Sequence, residues 1–176
     1  MIEVKAPNNP IRSGVYRSNI FLAGSIEQGT AENWQERLVD ELKDERHVII
    51  FNPRRDDWDA DLPQTIDNET FNEQVTWELF NLERATCIPM YFQPGTKSPI
   101  TLLELGLFAR SGKLIVCCPE GFWRKGNVDI LCREYEIRQV DSLDMLVLAV
   151  MDDIKSLRNR KAGLERRRRR RLPNCS

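Results

Sequence analysis

The stretch from Gly95 to Arg110 decides how the rest of the chain is organised. It reads Gly-Thr-Lys-Ser-Pro-Ile-Thr-Leu-Leu-Glu-Leu-Gly-Leu-Phe-Ala-Arg. The glycine and proline indicate a loop that leads into a helix. Ser98 followed by Pro99 is typical of an N-cap and a first helical residue, because proline lacks the N–H that would be unsatisfied there. Helical spacing then predicts that Glu104 shares a face with three apolar residues, Ile100, Leu107 and Phe108.

A carboxylate in that position is unusual. Burial among apolar side chains would raise the pKa of Glu104, while the positive start of the helix would lower it. Carboxyl groups under such opposing influences are often the working groups of enzymes. The alternative is a structural ion pair at a domain or subunit surface, and the spacing by itself leaves both interpretations open.

Working outward from this helix, apolar strand patterns alternate with amphipathic helices. Five strands are predicted, at residues 19–23, 48–51, 86–92, 113–118 and 137–140. Helices are predicted at residues 31–43, 68–84, 127–135 and 142–157, in addition to the helix of Glu104. This alternation predicts the α/β class, with a doubly wound five-stranded parallel sheet.

Ligands of such sheets bind beyond the carboxyl ends of the strands. Three predicted loops end up there, at residues 24–30, 52–66 and 93–101. We therefore expect these loops to meet around the site. Trp34 and Trp77 lie at helical spacing from other apolar residues, and we expect both in the core.

Composition limits the chemistry. A chain of 176 residues with 41% apolar content suits one domain with a real core. The single histidine, His47, argues against Ser-His-Asp catalysis and histidine-rich metal sites. The five cysteines form no CxxC pair, which favours buried reduced thiols. No signal peptide or membrane span is visible, and we expect a cytoplasmic protein without a metal or another cofactor.

Charge divides the chain. Residues 155–176 carry ten Lys or Arg and one Glu, including the run Arg166 to Arg171, whereas residues 1–154 have a net charge of −10. We expect an N-terminal extension at residues 1–18, a domain at 19–158 and a disordered basic tail at 159–176. The tail could bind polyanions, or it could simply be solvated.

The order of these motifs resembles a known family. Phe-Leu-Ala-Gly-Ser-Ile follows the first strand, and Thr-Leu-Leu-Glu-Leu-Gly-Leu-Phe-Ala precedes a Gly-Lys and the fourth strand. Both are similar to the nucleoside 2-deoxyribosyltransferases and the related 2′-deoxynucleoside 5′-monophosphate N-hydrolases. The similarity covers residues 20–140. It implies a flavodoxin-like fold, and Glu104 as the nucleophile that attacks the anomeric carbon of deoxyribose.

The same resemblance implies a partner acid late in the helix before the third strand. Counting back from Ala85 places Glu78 at this position. Counting instead from Trp77, the residue just before Glu78, places Gln74 there. The family has an aspartate at this position, so the identity of the proton donor stays open. Glu78 could equally be an ordinary exposed helix residue.

Several residues match positions that hold the substrate in the family. Gly24, Ser25 and Ile26 could offer backbone N–H groups to a sugar hydroxyl or a phosphate. Ser98 stands six residues before Glu104, where the transferases have an Asp and the nucleotide hydrolases a Ser. Glu27 stands where the nucleotide hydrolases have an Arg, which argues against a 5′-phosphate.

Two further positions are candidates for substrate contact. In the loop after the second strand, Trp58 offers a stacking face, and Asp57 or its neighbour Asp56 could accept a hydrogen bond from a base. The alternative is an exposed loop with an anchoring Trp. Asn127, which lies 23 residues after Glu104, matches an Asn that reaches the neighbouring subunit's site in the transferases. It could instead cap a helix that begins near Val128.

The sequence therefore predicts a homo-oligomeric enzyme that cleaves the N-glycosidic bond of a deoxynucleoside and passes the sugar to another base or to water. Two rivals remain. One is a non-catalytic nucleotide-binding or sensor module, which needs the cleft but not an ionised Glu104. The other is an N-glycosidase for a different nucleotide, such as a nicotinamide dinucleotide. Base preference and the need for a 5′-phosphate stay open.

Overall fold

The computed structural model describes residues 1–9, 18–27, 31–59 and 61–171, with side chains as far as residue 160. Seven strands lie within these residues: β1 (Ile2–Lys5), β2 (Ser18–Phe21), β3 (Ala23–Gly24), β4 (Val48–Asn52), β5 (Ile88–Tyr91), β6 (Leu114–Cys117) and β7 (Arg138–Val140). The same residues form five helices: α1 (Trp34–Glu41), α2 (Glu69–Arg84), α3 (Pro99–Phe108), α4 (Lys125–Glu134) and α5 (Leu143–Arg171).

All strand pairs are parallel, in the orders β1-β4-β2 and β3-β5-β6-β7. Strands β2 and β3 are separated only by Leu22, and a bridge between Ile20 and Cys87 connects β2 to the start of β5. They therefore form one central strand that pairs first with β4 and then with β5. The resulting order is flavodoxin-like, with β1 added at one edge.

The predicted fold class is confirmed, but the predicted count of five strands is wrong. The central strand changes its hydrogen-bonding partner at Leu22, so one predicted strand becomes β2 and β3. Strand β1 lies in the predicted N-terminal extension and pairs with β4, with Val4 opposite Phe51. It has only four residues and only two of them are apolar, as is common for edge strands, so its hydrophobic signal is weak.

Two apolar clusters fill the space on the two faces of the sheet. The cluster under α2, α3 and α4 includes Trp77 and Phe108, and the cluster under α1 and α5 includes Trp34 and Leu146. Both tryptophans are buried, as predicted. Burial on both faces explains why the strands are almost continuously apolar rather than alternating.

Helix α3 begins at Pro99 as predicted, but its faces differ from the prediction. The buried residues are Thr101, Glu104, Leu105 and Phe108. Ile100, Leu103 and Leu107 are exposed, so Glu104 does not share its face with Ile100 and Leu107. The helix is apolar nearly all round, so the apolar pattern alone did not reveal which side faces the sheet.

Helix α5 is longer than predicted. Its last buried apolar residue among the described side chains is Ile154, close to the expected end near Leu157, but the helix continues to Arg171. Lys, Arg, Leu and Glu all favour helix, so the backbone continues after the apolar periodicity stops. The predicted boundary at residues 158 and 159 thus falls inside α5, and residues 172–176, including Cys175, lie outside the described part of the chain.

Candidate active site

Two carboxyl groups face each other between α2 and α3. Glu104 is buried in the second turn of α3, and Glu78 is half-buried on α2. Burial and, as the smaller cause, the charge of Glu78 together raise the pKa of Glu104 to about 8. Burial also raises the pKa of Glu78 to about 7. Near neutral pH such a pair holds a proton, so one carboxyl group can attack while the other donates.

Gln74 holds Glu78 in place. Its amide nitrogen donates to Glu78 Oε1 at 2.8 Å and to the carbonyl of Pro53 at 3.1 Å. The first of these bonds opposes the burial effect and lowers the pKa of Glu78. The sequence left Glu78 and Gln74 as alternatives for one position. In the structure they lie one helical turn apart and are joined by this hydrogen bond, and it is Glu78 whose charge acts on Glu104.

Three hydroxyl groups meet at the start of α3. Ser25 Oγ lies 2.6 Å from Ser98 Oγ and 3.0 Å from Thr96 Oγ1, and Thr96 Oγ1 lies 2.9 Å from Ser98 Oγ. All three residues are buried. The cluster joins the loop after β3 to the loop after β5.

Ser98 is the N-cap residue of α3 and Pro99 its first helical residue, as predicted, but Ser98 does not cap the helix with its side chain. Its side chain makes no capping hydrogen bond, because the residue has a left-handed backbone and its hydroxyl belongs to the cluster of three. The carboxylate of Glu27 instead binds the two backbone N–H groups that precede Pro99, the first residue of α3. Glu27 Oε1 accepts the N–H of Lys97 at 2.9 Å and the N–H of Ser98.

Two further contacts lie at this edge of the sheet, just after the first loop. The Arg54 guanidinium donates to the carbonyl of Ala31 at 3.0 Å, and Gln93 Oε1 accepts the N–H of Glu32 at 2.9 Å. Within the described residues, the first and third predicted loops therefore meet directly, and the second reaches the residues that follow the first. The carboxylate pair lies beside them, since Gln74 reaches the Pro53 carbonyl of the second loop.

Gly24 and Ser25 are both needed by the backbone here. Gly24 has φ 147°, and a Cβ at this position would lie 2.5 Å from the carbonyl oxygen of Tyr91. The N–H of Ser25 donates to that same oxygen at 2.9 Å and is therefore already bonded. Ser25 contributes to the cluster of three through its hydroxyl group. Ile26, half-buried, accepts the N–H of Ala31 with its carbonyl at 3.2 Å.

The loop after β4 carries Asp57 and Trp58. Arg55 donates two hydrogen bonds to the exposed carboxylate of Asp57, at 2.9 Å each, and these lower the pKa of Asp57. The guanidinium carbon of Arg55 also lies 5.8 Å from the ring centroid of Trp58. Asp57 and Trp58 are thus held together by one arginine, which the sequence analysis did not single out.

Asn127 is exposed in the first turn of α4. The alternative that it caps this helix is wrong, because α4 begins at Lys125 and its N-cap position is Arg124. Among the described side chains, nothing places Asn127 near Glu104 of the same chain.

Cysteine and metal chemistry find little support in the part of the chain that is described. Cys87, Cys117, Cys118 and Cys132 are buried and unpaired. Burial raises the pKa of Cys117 to about 12 and that of Cys132 to about 11, which suppresses the nucleophilic thiolate at neutral pH. Within the described residues no group of His, Cys, Asp or Glu could hold a metal ion, and no helix is long and apolar enough to cross a membrane.

A groove of about 470 Å³ lies elsewhere, between the N-terminal segment and the outer side of α2. Its lining includes Asn9, Glu73 and Phe80 but neither Glu78 nor Glu104. We therefore place the candidate site at the carboxylate pair rather than in this groove.

Sequence reasoning missed the contribution of Thr96 and the bonds of Glu27. Thr96 had a weak signal, since it lies in the Gly-Thr-Lys-Ser loop just before α3. Glu27 was noticed for its difference from the family rather than for any contact, because a bond across some seventy residues leaves no periodic trace in the sequence.

Fold and site together define a class: a flavodoxin-like protein with buried acids beside the carboxyl ends of its parallel strands. The chain belongs to the nucleoside 2-deoxyribosyltransferase-like family, whose family model matches residues 17–122. The family inferred from the sequence motifs is thereby confirmed. The matched range contains Glu78 and Glu104 and ends before Asn127.

A solved structure supports the fold. The chain is similar to the crystal structure of a conserved protein from Enterococcus faecalis V583, with a TM-score of 0.55 and 13% sequence identity. The alignment covers 79% of this chain and 98% of that one. At this identity the likeness concerns the fold alone. No curated protein matches the chain in sequence.

Proposed function

We propose that the protein cleaves the N-glycosidic bond of a deoxynucleoside through a covalent intermediate on Glu104, with Glu78 as proton donor. Membership of the family supports a nucleoside substrate. The observation that carries the proposal is the buried carboxyl pair, in which each group has a raised pKa and Glu78 acts electrostatically on Glu104. A module that only binds nucleotides would gain nothing from burying two acids together.

The reaction has two halves. In the first, an oxygen of ionised Glu104 attacks the anomeric carbon, the bond from that carbon to the base nitrogen breaks, and its electron pair leaves with the base. Glu78 gives the base a proton. In the second half, water or another base attacks the anomeric carbon, Glu104 leaves, and Glu78 takes the proton back. A deoxyribose favours this route, because it lacks the 2′-hydroxyl that would destabilise the oxocarbenium-like transition state.

Gln74 is proposed as the residue that keeps Glu78 in position. Its amide nitrogen donates to both the Glu78 carboxyl group and the Pro53 carbonyl, so Glu78 is linked to the loop after β4. That loop carries Asp57 and Trp58, which we propose contact the base. A fixed acid next to the leaving base lowers the cost of orienting it in the transition state.

We also propose that the protein is a homodimer. The outer face of α3 exposes Ile100, Leu103 and Leu107 to 59%, 68% and 61%, and a second copy is the simplest cover for such a face. Asn127 is exposed and on α4, the next helix along the chain, so it is available to a neighbouring subunit. A cytoplasmic location and polyanion binding by the arginine tail remain expectations.

The test is turnover and trapping. We expect chromatography to show a free base released from one or more of the four common deoxynucleosides, and a new nucleoside if transfer occurs when a second base is added. Intact-mass measurement should show a deoxyribosyl adduct on the wild-type protein. The Glu104→Gln variant should fold, form no adduct and lose turnover by roughly three orders of magnitude or more, since the nucleophile is gone.

A matched control is Glu83→Gln, which removes an exposed acid from α2. It should turn over like the wild type. Normal turnover by a folded Glu104→Gln protein would exclude Glu104 as nucleophile. Tight nucleotide binding with no base release by the wild type would favour the non-catalytic module, and release of nicotinamide from a dinucleotide instead would favour the other glycosidase.

A further inference from the structure

Helix α5 has two parts of different character. Its first part packs against the sheet as far as Ile154, the last buried apolar residue among the described side chains, and the helix then continues to Arg171. Residues 158–171, which we call the basic helix, contain eight Arg, one Lys and one Glu, and their only apolar side chains are those of Ala162 and Leu164. The basic helix is therefore a helix without an apolar face to pack against the core.

The basic helix begins at the end of the sheet opposite the carboxylate pair. Arg158 donates to the carbonyl of Arg46 at 3.1 Å and forms an ion pair with Glu45. Both of these partners lie just before β4, at the amino ends of the parallel strands, whereas Glu104 follows the carboxyl end of β5. The start of the basic helix is fixed by these contacts, and Arg171 lies about 20 Å further along the helix axis.

The last turns of the basic helix carry arginine at every position. Successive residues of an α-helix are about 100° apart, so six consecutive arginines, Arg166 to Arg171, are distributed round the whole circumference. A helix that binds a membrane surface or a protein groove needs an apolar stripe, which this pattern does not provide. The basic helix offers a dense positive charge instead.

Duplex DNA matches this helix in charge density and in shape. Six arginines occupy about 9 Å of helix axis, and B-form DNA carries about five phosphate charges over the same length. Guanidinium groups bind phosphate oxygens in a bidentate manner. The major groove of B-form DNA admits an α-helix and has a phosphate backbone on each side, so arginines on opposite sides of the helix can reach phosphates. Duplex RNA has a deep, narrow major groove instead.

We propose that the basic helix is a sequence-independent binding site for duplex DNA. The inference does not depend on the proposed catalytic function, because the two sites lie at opposite ends of the strands. Residues 1–154 have a net charge of −10, so the rest of the protein is repelled by the phosphates and contact is limited to the basic helix. Contacts with phosphates position a protein on DNA but read no sequence.

The acidic body of a second copy is the rival partner for the basic helix. Its net charge of −10 is spread over the surface of a whole domain, whereas DNA concentrates its phosphates along a narrow rod. Binding to the denser polyanion releases more counterions, which favours DNA over self-association.

The experiment is fluorescence anisotropy with the full-length protein and a labelled DNA duplex. Six phosphate contacts predict a slope of about −5 for the logarithm of the association constant against the logarithm of salt concentration, so binding should weaken by roughly a thousandfold between about 50 and about 200 mM salt. A variant in which Arg166 to Arg171 are all replaced by Gln should lose this binding. Glutamine also favours helix, so the variant should keep the circular dichroism spectrum of the wild type.

A smaller change tests the phosphate contacts more sharply. Arg167→Gln combined with Arg170→Gln should reduce the salt slope by about 2, since each lost phosphate contact removes about one unit. Lys43→Gln combined with Arg133→Gln removes two exposed cations from the body and is the charge-matched control. It should leave the salt slope unchanged.

Competition then decides which kind of partner binds. Unlabelled duplex RNA and single-stranded DNA of the same length should compete at least about tenfold more weakly than unlabelled duplex DNA, because neither offers the wide major groove. The inference is overturned if either competes equally well, if vesicles containing anionic lipid compete better, or if salt-sensitive DNA binding is absent. It is also overturned if sedimentation at low salt shows that the arginines join copies of the chain while DNA does not bind.

Discussion

Helices α1 and α5 cover one face of the sheet, α2, α3 and α4 cover the other, and the two layers place their charged side chains in opposite ways. In the first layer most acids are at the rim, where Arg37 pairs with Asp144 and Arg158 pairs with Glu45. The exception is Asp153 on α5, a single half-buried acid whose pKa is raised by burial. The residues against the sheet are apolar, as in Leu38 and Leu146. This is the ordinary arrangement of a stable protein.

The layer of α2 and α3 reverses that arrangement. Glu104 and Glu78 lie inside, while Leu103, Leu107 and Phe80 are exposed. Two acids whose pKa values are raised by burial cost stability rather than adding to it. An exposed apolar face also costs solubility unless something covers it. The layer that is worse for folding is therefore the one in which we place the chemistry and the second subunit.

After the loss of Glu104 itself, the largest expected effect comes from Glu78, the acid that is less buried. Glu78→Gln should lower kcat by roughly two to four orders of magnitude, the range for loss of a general acid, while Glu83→Gln on the same helix should have no effect. The wild type should have a bell-shaped pH profile, because cleavage needs Glu104 ionised and Glu78 protonated. Since the pKa of Glu104 is the higher of the two, this is the less populated of the two singly protonated forms of the pair. Replacing Glu78 should remove the alkaline limb and leave the acid limb.

The readout that distinguishes this role from a structural one is the leaving group. A substrate whose leaving group departs readily without a proton, such as a nitrophenyl 2-deoxyriboside, should be cleaved by Glu78→Gln almost as fast as by the wild type. If activity on that substrate falls as far as activity on nucleosides, Glu78 positions the site and is not the proton donor.

A smaller effect concerns stability and pH. The pKa values of Glu104 and Glu78 are raised in the folded protein, from 4.5 to about 8 and about 7. The folded state therefore holds more protons than the unfolded state between pH 4.5 and about 8. The stability that these protons contribute is full below pH 4.5 and is lost as pH rises through about 7 and about 8.

Urea unfolding between pH 5.5 and 9 should test this difference between the layers. The wild type should lose on the order of a few kcal/mol across that range from these two groups, and Glu104→Gln should lose clearly less. Leu146→Ala, in the other layer, should cost about 2–5 kcal/mol at every pH. If the free energy of unfolding changes with pH by the same amount in the wild type and in Glu104→Gln, Glu104 is not buried with a raised pKa.

The two layers also differ in how well the sequence predicted them. Helical spacing of apolar residues predicted all five helices. Continuous apolar runs predicted the central strands, because burial on both faces of the sheet leaves a strong signal in strands such as β4. The same signal failed for α3. Leu103, Leu107 and Leu105 are all apolar, and only the fold shows that the first two face outward.

The candidate site was predictable only in part. Glu104 stood out as a candidate because an acid within an apolar helix is rare. The family pattern limited the position of the partner acid to two residues, Glu78 and Gln74. The bond from Gln74 to Glu78 follows helical spacing and was within reach. The contacts among Ser25, Thr96 and Ser98 were not, since they depend on two loops that meet only when the sheet has formed.

The smallest expected effect tests whether the reversed layer is completed by a second copy. In a homodimer in which Asn127 of one subunit enters the site of the other, Glu104→Gln and Asn127→Ala proteins are each impaired in both sites. A mixed dimer has one site that carries both changes and one that carries neither. Random exchange makes half of the dimers mixed, so specific activity should recover to about a quarter of the wild-type value.

The control is to mix Glu104→Gln with Glu78→Gln. Both residues lie between α2 and α3 of the same chain, so each site in the mixed dimer keeps one change and no activity should return. Subunit exchange is verified by native mass measurement of tagged subunits. If exchange is complete and the Asn127 mixture also stays inactive, or if the active enzyme is a monomer, Asn127 does not cross between subunits. The exposed face of α3 would then need a different explanation, because its three large apolar side chains remain on the surface of a single chain.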